Sequence, residues 1–246
     1  MSIPKIIHYC WFGGGAISPE NRKCMESWKK YCPDYKIVAW NEQNFDISTN
    51  RYAHQAYEAK KYAFVSDYVR LAVLYEYGGI YLDTDVELVR PLDELLELPG
   101  FMGFQTNNEV ATGLGFGARK GNSVVQALLR DYDALDFLKA DGSADLTPCP
   151  ERNTRMLQAL GVRKDGTRQS IAEMEIFPAE YFCPMDLYSR ELRVTPKTYS
   201  IHRYAESWKP KPSAVSRILQ RLLKKHYYTW YCPLRGRIEG RLRKRT

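Results

Sequence analysis

The stretch AFVSDYVRLAVLYEYGGIYLDTD (residues 63–85) decides the fold predicted for this chain of 246 residues. Its apolar spacing predicts a helix that ends at Gly78, and residues 80–82 then predict a short buried strand. Asp83 and Asp85 would therefore lie at the carboxyl end of a strand, where α/β sheets usually bind their ligands. Two carboxylates there suit a hard cation such as Mg²⁺ or Mn²⁺, which would offset their mutual repulsion. The stretch suggests a metal held against a phosphate-bearing substrate, and a solvated turn is the alternative.

Strands and helices alternate over the first 120 residues, which predicts an α/β protein with a mainly parallel central sheet flanked by helices. The predicted strands cover residues 3–12, 35–40, 80–82, 86–89, 101–105 and 114–118, and a further one ends at 176–178. The predicted helices cover residues 19–31, 51–62, 65–77, 122–137 and 151–160, and a short one begins at Pro91.

Positive charge is concentrated at the end of the chain. The whole sequence has 36 Lys and Arg against 29 Asp and Glu, a net charge of +7. Residues 209–246 hold 12 of the basic residues and one acidic residue, so the first 208 residues carry a net charge of −4. The basic isoelectric point therefore says little about an active site. We divide the chain into a domain at residues 1–210 and a basic tail at 211–246.

The tail also has an apolar side. Its helix-spaced apolar residues are Val215, Ile218, Leu219, Leu222 and Leu223. A basic amphipathic helix followed by aromatic residues favours an anionic membrane interface. Packing on the protein body and nucleic-acid binding are alternatives, although no nucleic-acid recognition motif accompanies the tail.

The expected location is the cytoplasm, peripheral on the inner face of the cell membrane. No apolar run reaches the roughly 18 residues that a membrane span needs, and residues 1–5 lack the apolar core of a signal peptide.

Asp67 and Arg70 stand three positions apart on a helix that is otherwise mostly apolar. They could form a surface ion pair, but a charge on a buried helix needs a partner. The planar guanidinium of Arg70 could bind a diphosphate, and Asp67 could accept hydrogen bonds from sugar hydroxyls.

Two more residues fit a nucleotide and metal site. Trp11 follows the first predicted strand and precedes the glycine run at 13–15, so it could stack on a nucleobase or belong to the core. His202 could complete a metal site begun by two carboxylates, although a lone histidine is more often structural.

Three separated motifs resemble the DXD-containing sugar-transferase family 32. They are IPKIIHYCWFGG at residues 3–14, Ser66-Asp67-x-x-Arg70, and Tyr75-Glu76-x-Gly78-Gly79-Ile80-Tyr81-Leu82-Asp83-x-Asp85. The family includes yeast Golgi mannosyltransferases, animal α-1,4-galactosyl- and N-acetylglucosaminyltransferases and bacterial capsule enzymes, and the catalytic domain of large clostridial glucosylating toxins is a distant relative. The resemblance is strong over about residues 3–90 and weak from about 100 to 200. It implies a GT-A fold, which is a Rossmann-like nucleotide-sugar-binding fold.

The resemblance also implies roles for individual residues. The implied donor-binding residues are Tyr9, Trp11, Ser66, Asp67, Arg70, Tyr81, Asp83 and Trp208. The implied metal ligands for Mn²⁺ or Mg²⁺ are Asp83, Asp85 and His202, and the implied catalytic residues are Asp67, Arg70, Asp83 and Asp85. Residues 202–210 are similar to the C-terminal His…Gly…Lys-Pro-Trp element of related retaining enzymes. Ala205 replaces the glycine, and Trp208 precedes the Lys-Pro pair instead of following it.

The expected function is a metal-dependent, retaining glycosyl transfer from a nucleotide-diphosphate sugar to a growing, lipid-linked surface polysaccharide. A UDP-hexose is the first expectation for the donor, and a GDP-sugar is the alternative. Glu109, Thr112 and residues 147–150 are candidates for the acceptor side. Other classes are a non-catalytic nucleotide-sugar-binding or scaffold protein, and a peripheral protein that binds nucleic acid through its tail.

Overall fold

The computed structural model describes residues 2–187 and 189–205, so Trp208 and the predicted tail at 211–246 lie outside the described residues. The strands are β1 (Ile6–Cys10), β2 (Lys36–Trp40), β3 (Gly79–Tyr81), β4 (Val86–Leu88), β5 (Gly100–Phe104), β6 (Val110–Ala111), β7 (Phe116–Ala118), β8 (Gln169–Ile171), β9 (Met174–Phe177) and β10 (Ser200–His202). The helices are α1 (Pro19–Tyr31), α2 (Arg51–Glu58), α3 (Tyr62–Tyr77), α4 (Ser123–Asp133), α5 (Cys149–Ala159) and α6 (Ala179–Phe182). Short 3₁₀ turns cover Ile47–Thr49 and Asp93–Leu95.

Within the described residues, eight strands form one central sheet in the order β2-β1-β3-β7-β5-β9-β8, with β6 paired to β5. Strand β1 is parallel to β2 and to β3, and β5 is parallel to β9. Strand β7 is antiparallel to both β3 and β5, because the connection from β5 holds only the short β6 and no crossover helix. The expected α/β fold with helices around a central sheet is confirmed, and the half of the sheet beyond β3 is mixed in direction.

Most predicted elements are present, with shifted ends. The helix predicted over residues 51–62 stops at Glu58, and Lys60 then takes a left-handed φ of 55°. Strands β6, β8 and β10 and helix α6 were not predicted, because each has four residues or fewer and shows no measurable periodicity.

Helix α1 begins as its sequence predicts. The Ser18 hydroxyl accepts a hydrogen bond from the Asn21 N–H at 3.1 Å, and Pro19 occupies the first helical position. Helix α3 is apolar on most of its surface because it packs between α2 and α4 and against the sheet. Among the described residues, no helix has both the length and the apolar character needed to cross a bilayer.

His8 links the first two strands to the end of α3. Burial lowers the pKa of His8 to about 4, so the ring is neutral near pH 7. The Trp40 indole N–H donates to His8 Nδ1 at 3.0 Å, which leaves the proton on Nε2 to be donated to the Gly78 carbonyl at 2.9 Å. This pairing fixes where β3 begins and therefore where the strand ends at the acidic pair.

Gly79 allows β3 to lie against β1. Its φ is +108°, and a Cβ there would lie 2.8 Å from the Ile6 carbonyl oxygen and 2.9 Å from His8 Nε2. The positive φ favours glycine, because other residues rarely adopt it. The close approach to the Ile6 carbonyl also requires glycine, because a backbone atom cannot easily move aside.

We expect Gly79→Ala to lower the free energy of unfolding by about 2–4 kcal/mol, since backbone strain and overpacking add. Gly121→Ala is the matched control, because Gly121 has a φ of +73° with nothing within 4 Å of the added Cβ. The control should lose only about 1–2 kcal/mol. Equal losses in chemical denaturation would contradict the close approach of β3 to β1.

Candidate active site

Asp83 and Asp85 lie in the loop directly after β3, and helix α1 fixes that loop from one side. The Asn21 side-chain amide donates to the hydroxyl of Thr84, the residue between the two aspartates, at 2.9 Å. The Trp28 indole N–H donates to the Val86 carbonyl at 2.7 Å. Because α1 holds both Thr84 and Val86, the loop that carries Asp83 and Asp85 has a defined position.

The antiparallel pairing of β10 with β4 brings His202 to Asp85. His202 pairs with Val86 in the strand register, and its Nε2 lies 3.2 Å from Asp85 Oδ1. The Ala205 N–H donates to the other oxygen, Asp85 Oδ2, at 2.8 Å. A short strand that was not predicted therefore brings together two predicted metal ligands that stand 117 positions apart in the sequence.

The electrostatics of this pair favour charge on both partners. Burial opposes ionisation of Asp85, but the adjacent His202 and the Ala205 N–H outweigh it and lower the pKa of Asp85 to about 2. Burial also disfavours a charged His202, but the Asp85 carboxylate outweighs burial and raises the pKa of His202 above its ordinary value. A bound cation would replace the proton of His202.

The residues fit a divalent cation. Ligand atoms of Asp83, Asp85 and His202 all lie within 4.8 Å of one another. Two carboxylates and one imidazole form a donor set that suits Mn²⁺ or Mg²⁺. The residues predicted to bind the metal are thus brought together.

Arg70 is the centre of the neighbouring polar group. Its Nη2 lies 3.0 Å from Asp67 Oδ1 and 3.2 Å from Asp83 Oδ1. Its Nε donates to the Ser66 carbonyl at 3.1 Å. Its Nη1 reaches the Thr112 hydroxyl at 3.4 Å and the Cys149 sulfur at 3.9 Å. Nε, Nη1 and Nη2 of Arg70 thus each have a hydrogen-bond partner inside the protein, and direct contact with a diphosphate stays a prediction.

Tyr81 lies beneath this group. Its hydroxyl donates to Asp83 Oδ1 at 3.0 Å, and the Arg70 guanidinium lies 4.9 Å from the centre of its ring. Tyr81 is 1% exposed, so in this structure it orients Asp83 and presents almost no surface to a ligand. Its predicted contact with the donor stays a prediction.

Trp11 stands half-buried after β1, and its indole N–H donates to the carbonyl of Gly15. The glycine loop is held in turn, since the Tyr62 ring occupies the space that a Cβ on Gly13 would need. This arrangement is compatible with the predicted stacking on a base, which stays a prediction. Tyr9 packs edge-on against Trp28 with ring centres 5.8 Å apart, so part of its surface belongs to the core.

Two residues suggested for the acceptor side lie elsewhere. Thr112 and Cys149 are buried around Arg70 and line no open surface. Thr112 follows the two-residue strand β6, and Cys149 is the first residue of α5. Their sequence positions therefore gave no indication that they contact Arg70. Glu109 is paired with Lys164 at 3.2 Å, and its acceptor role stays a prediction.

Gly113 was missed by sequence reasoning, although it belongs to a conspicuous glycine-rich run at residues 113–117. Its carbonyl accepts the Asp83 N–H at 3.0 Å. A Cβ on Gly113 would lie 1.9 Å from Asp83 Oδ2, so only glycine leaves room for the carboxylate in its present position.

The fold is of the α/β type, and most of the candidate site lies in a segment that matches a known family. Residues 18–101 match the family model described as "Glycosyltransferase sugar-binding region containing DXD motif". The matched segment is about a third of the chain, and it contains Asp67, Arg70, Asp83 and Asp85.

Three relatives that match this chain have the names of glycosyltransferases. Inositol phosphoceramide mannosyltransferase 3 of Schizosaccharomyces pombe is 30% identical over 55% of this chain and 39% of its own length. Human alpha-1,4-N-acetylglucosaminyltransferase is 28% identical over 75% of this chain and 47% of its own length. An uncharacterized glycosyltransferase, L373 of Acanthamoeba polyphaga mimivirus, is 25% identical over 85% of this chain and 84% of its own length. The match thus spans less than half of the fission yeast and human proteins.

We expect Gly113→Ala to displace the Asp83 carboxylate and to reduce transferase activity by about 10²-fold, because small misplacements of reacting groups are costly. The fold should persist, since the added Cβ meets the end of a flexible side chain. Nucleotide release and thermal unfolding measure the two effects.

Gly142→Ala is the control for backbone strain alone, because Gly142 has a φ of +78° with no atom within 4 Å of the added Cβ. That variant should lose some stability and keep its activity. Full activity in Gly113→Ala would contradict the placement of Asp83.

Proposed function

We propose that this protein is a metal-dependent, retaining glycosyltransferase that uses a nucleotide-diphosphate sugar, with a UDP-hexose as the first candidate donor. The proposed acceptor is a lipid-linked surface polysaccharide in growth, at the inner face of the cell membrane. The observation that carries the proposal is the meeting of Asp83, Asp85 and His202 next to the Asp67–Arg70 pair.

The chain's own residues have distinct tasks in this proposal. Arg70 holds Asp67 and Asp83 together in spite of their like charges, so both carboxylates keep fixed positions facing a donor. Asp85 and His202, with Asp83, would hold Mn²⁺ or Mg²⁺. The cation, when bound, would neutralise charge that develops on the departing diphosphate.

The proposed transfer needs no covalent nucleophile from the protein. The bond between the anomeric carbon and the phosphate oxygen breaks, and a bond to the acceptor hydroxyl oxygen forms on the same face. The acceptor proton passes to the departing phosphate oxygen. Retention follows from same-face attack, and the anomeric configuration of the product reports it directly.

A lipid-linked acceptor is supported by two independent features. One relative that matches this chain is named as a mannosyltransferase of inositol phosphoceramide, which is a lipid. The tail sequence at 211–246 combines basic charge with helix-spaced apolar residues. Both features agree with catalysis at a membrane surface.

We expect Asp85→Asn and His202→Ala each to weaken Mn²⁺ binding and to reduce nucleotide release by about 10²-fold or more. A panel of UDP-glucose, UDP-N-acetylglucosamine and GDP-mannose with Mn²⁺ identifies the donor, and calorimetry measures the metal. Asp34→Asn is the control, because Asp34 is exposed and pairs with Lys5 away from the site. Full Mn²⁺-dependent turnover in Asp85→Asn would refute the metal role.

Mn²⁺ affinity should rise with pH. Protonated His202 cannot bind a metal, and its pKa lies above the ordinary value because of Asp85. Protons therefore compete with the metal for His202 at pH values below that raised pKa, and this competition weakens as the pH rises. Asp85, with a pKa of about 2, stays ionised throughout. Calorimetry at several pH values between about 6 and 9 checks this, and His202→Gln should flatten the dependence. A pH-independent affinity in the unsubstituted protein would exclude His202 as a ligand.

Deletion of residues 211–246 should abolish flotation with vesicles that contain anionic phospholipid, while nucleotide release to a soluble acceptor persists. The variant Leu219→Glu/Leu222→Glu keeps the basic residues and should also fail to float, since it breaks the apolar side. Flotation that survives the deletion would contradict the membrane role. Salt-dependent nucleic-acid binding that disappears with the tail would favour the nucleic-acid alternative.

A further inference from the structure

A group of buried polar side chains lies behind the Asp67–Arg70 pair, and we call Thr112, Cys149 and Asn153 the α5 cluster. Two of its members come from the first two turns of α5, and the third lies just after β6. Thr112 is 0% exposed and Asn153 is 1% exposed, so neither touches solvent or a bound donor. The cluster can influence the donor site only through the residues that it contacts.

The members of the α5 cluster are hydrogen-bonded to one another and to Arg70. The Asn153 amide donates to the Thr112 hydroxyl oxygen and to the Cys149 sulfur, both at 3.1 Å. The Thr112 oxygen also accepts from Arg70 Nη1 at 3.4 Å and shares a hydrogen bond with the Cys149 sulfur at 3.3 Å. Asn153 thus fixes Thr112 and Cys149 together, and Thr112 in turn engages the guanidinium of Arg70.

Cys149 contacts Arg70 directly, since Arg70 Nη1 lies 3.9 Å from its sulfur. Burial raises the pKa of the Cys149 thiol to about 12, so the sulfur carries its proton near pH 7. Burial also raises the pKa of Asp67 to about 6, and Arg70, whose Nη2 lies 3.0 Å from Asp67 Oδ1, opposes that rise. The α5 cluster therefore contacts Arg70 and acts on Asp67 through it.

Packing alone does not account for these residue types. A valine, an alanine and a leucine would fill similar space without burying a hydroxyl, a thiol and an amide. The hydrogen bonds of Thr112 and Cys149 to Arg70 restrict the position of the guanidinium, and the Asn153 side-chain oxygen has no partner among the described residues.

We propose that Thr112, Cys149 and Asn153 are positioning residues that hold Asp67 and Arg70 in the pose that binds the nucleotide sugar. The inference rests on the proposed function, because it assigns the pair to donor binding. It makes the first turns of α5 a determinant of donor affinity, although α5 lies outside the region matched by the family model.

The test compares donor binding, metal binding and stability in substituted full-length proteins. Thr112→Val and Cys149→Ala remove the polar groups, and Thr112→Ser and Cys149→Ser restore them. Cys32→Ala is the matched control, since Cys32 is a buried cysteine whose neighbours are Leu92, Asp93, Asp34 and Lys5. The probes are Mn²⁺ alone, and then whichever of UDP-glucose, UDP-N-acetylglucosamine and GDP-mannose the unsubstituted protein binds most tightly with Mn²⁺.

We expect Thr112→Val and Cys149→Ala to raise the donor Kd and the donor KM about tenfold, with a smaller change in kcat. The Mn²⁺ Kd should rise less than the donor Kd, because two of the three candidate ligands, Asp85 and His202, are held by each other and by the Ala205 N–H and not by Arg70. Thr112→Ser and Cys149→Ser should recover most of the donor affinity. Cys149→Ala and Cys32→Ala should lower the unfolding temperature to similar extents.

Unchanged donor Kd in Thr112→Val and Cys149→Ala would overturn the inference and leave the proposed function standing. A donor Kd raised equally in Cys32→Ala, or left raised in both serine variants, would also overturn it, since the effect would then be general destabilisation. If the unsubstituted protein bound none of the three nucleotide sugars, the proposed function and this inference would both fail.

Discussion

Repulsion among the carboxylates of Asp67, Asp83 and Asp85 is the constraint on which the rest of the site depends. The three side chains meet at the end of β3, and two of them are largely buried. Arg70 lies between the first two and His202 lies against the third. Each carboxylate has a basic side chain 3.0–3.2 Å away, and removal of such a partner from a buried site is costly.

The protein meets this constraint with contacts from distant parts of the chain. Helix α1 holds Thr84, β10 supplies His202, and the first turn of α5 reaches Arg70. Gly113 leaves the space in which the Asp83 carboxylate sits. A small strand or a single glycine therefore has a large effect, since it determines whether charges of opposite sign can meet.

The sequence predicted those parts of the site whose residues are close together in the chain. The order helix, glycine stop, strand and Asp83-x-Asp85 is local, so periodicity and turn chemistry predicted it, and the family resemblance added His202. The sequence could not indicate that Arg70 would bond to Thr112 and Cys149, because these residues are 42 and 79 positions away. Likewise the direction of β7 depends on the short connection from β5, and single-strand patterns carry no information about direction.

The internal contacts of Arg70 change how the site should be understood. Under the proposed function, a group with hydrogen bonds inside the protein would contribute to donor binding by orienting other groups and by its charge. The carboxylate of Asp83 is partly exposed, with one oxygen held by Arg70 and Tyr81, so it is the group that we propose to meet the ligand. Arg70 acts as the fixed centre that sets where that carboxylate stands. Orientation of Asp83 is therefore the step that connects the buried network around Arg70 to the chemistry at the end of the sheet.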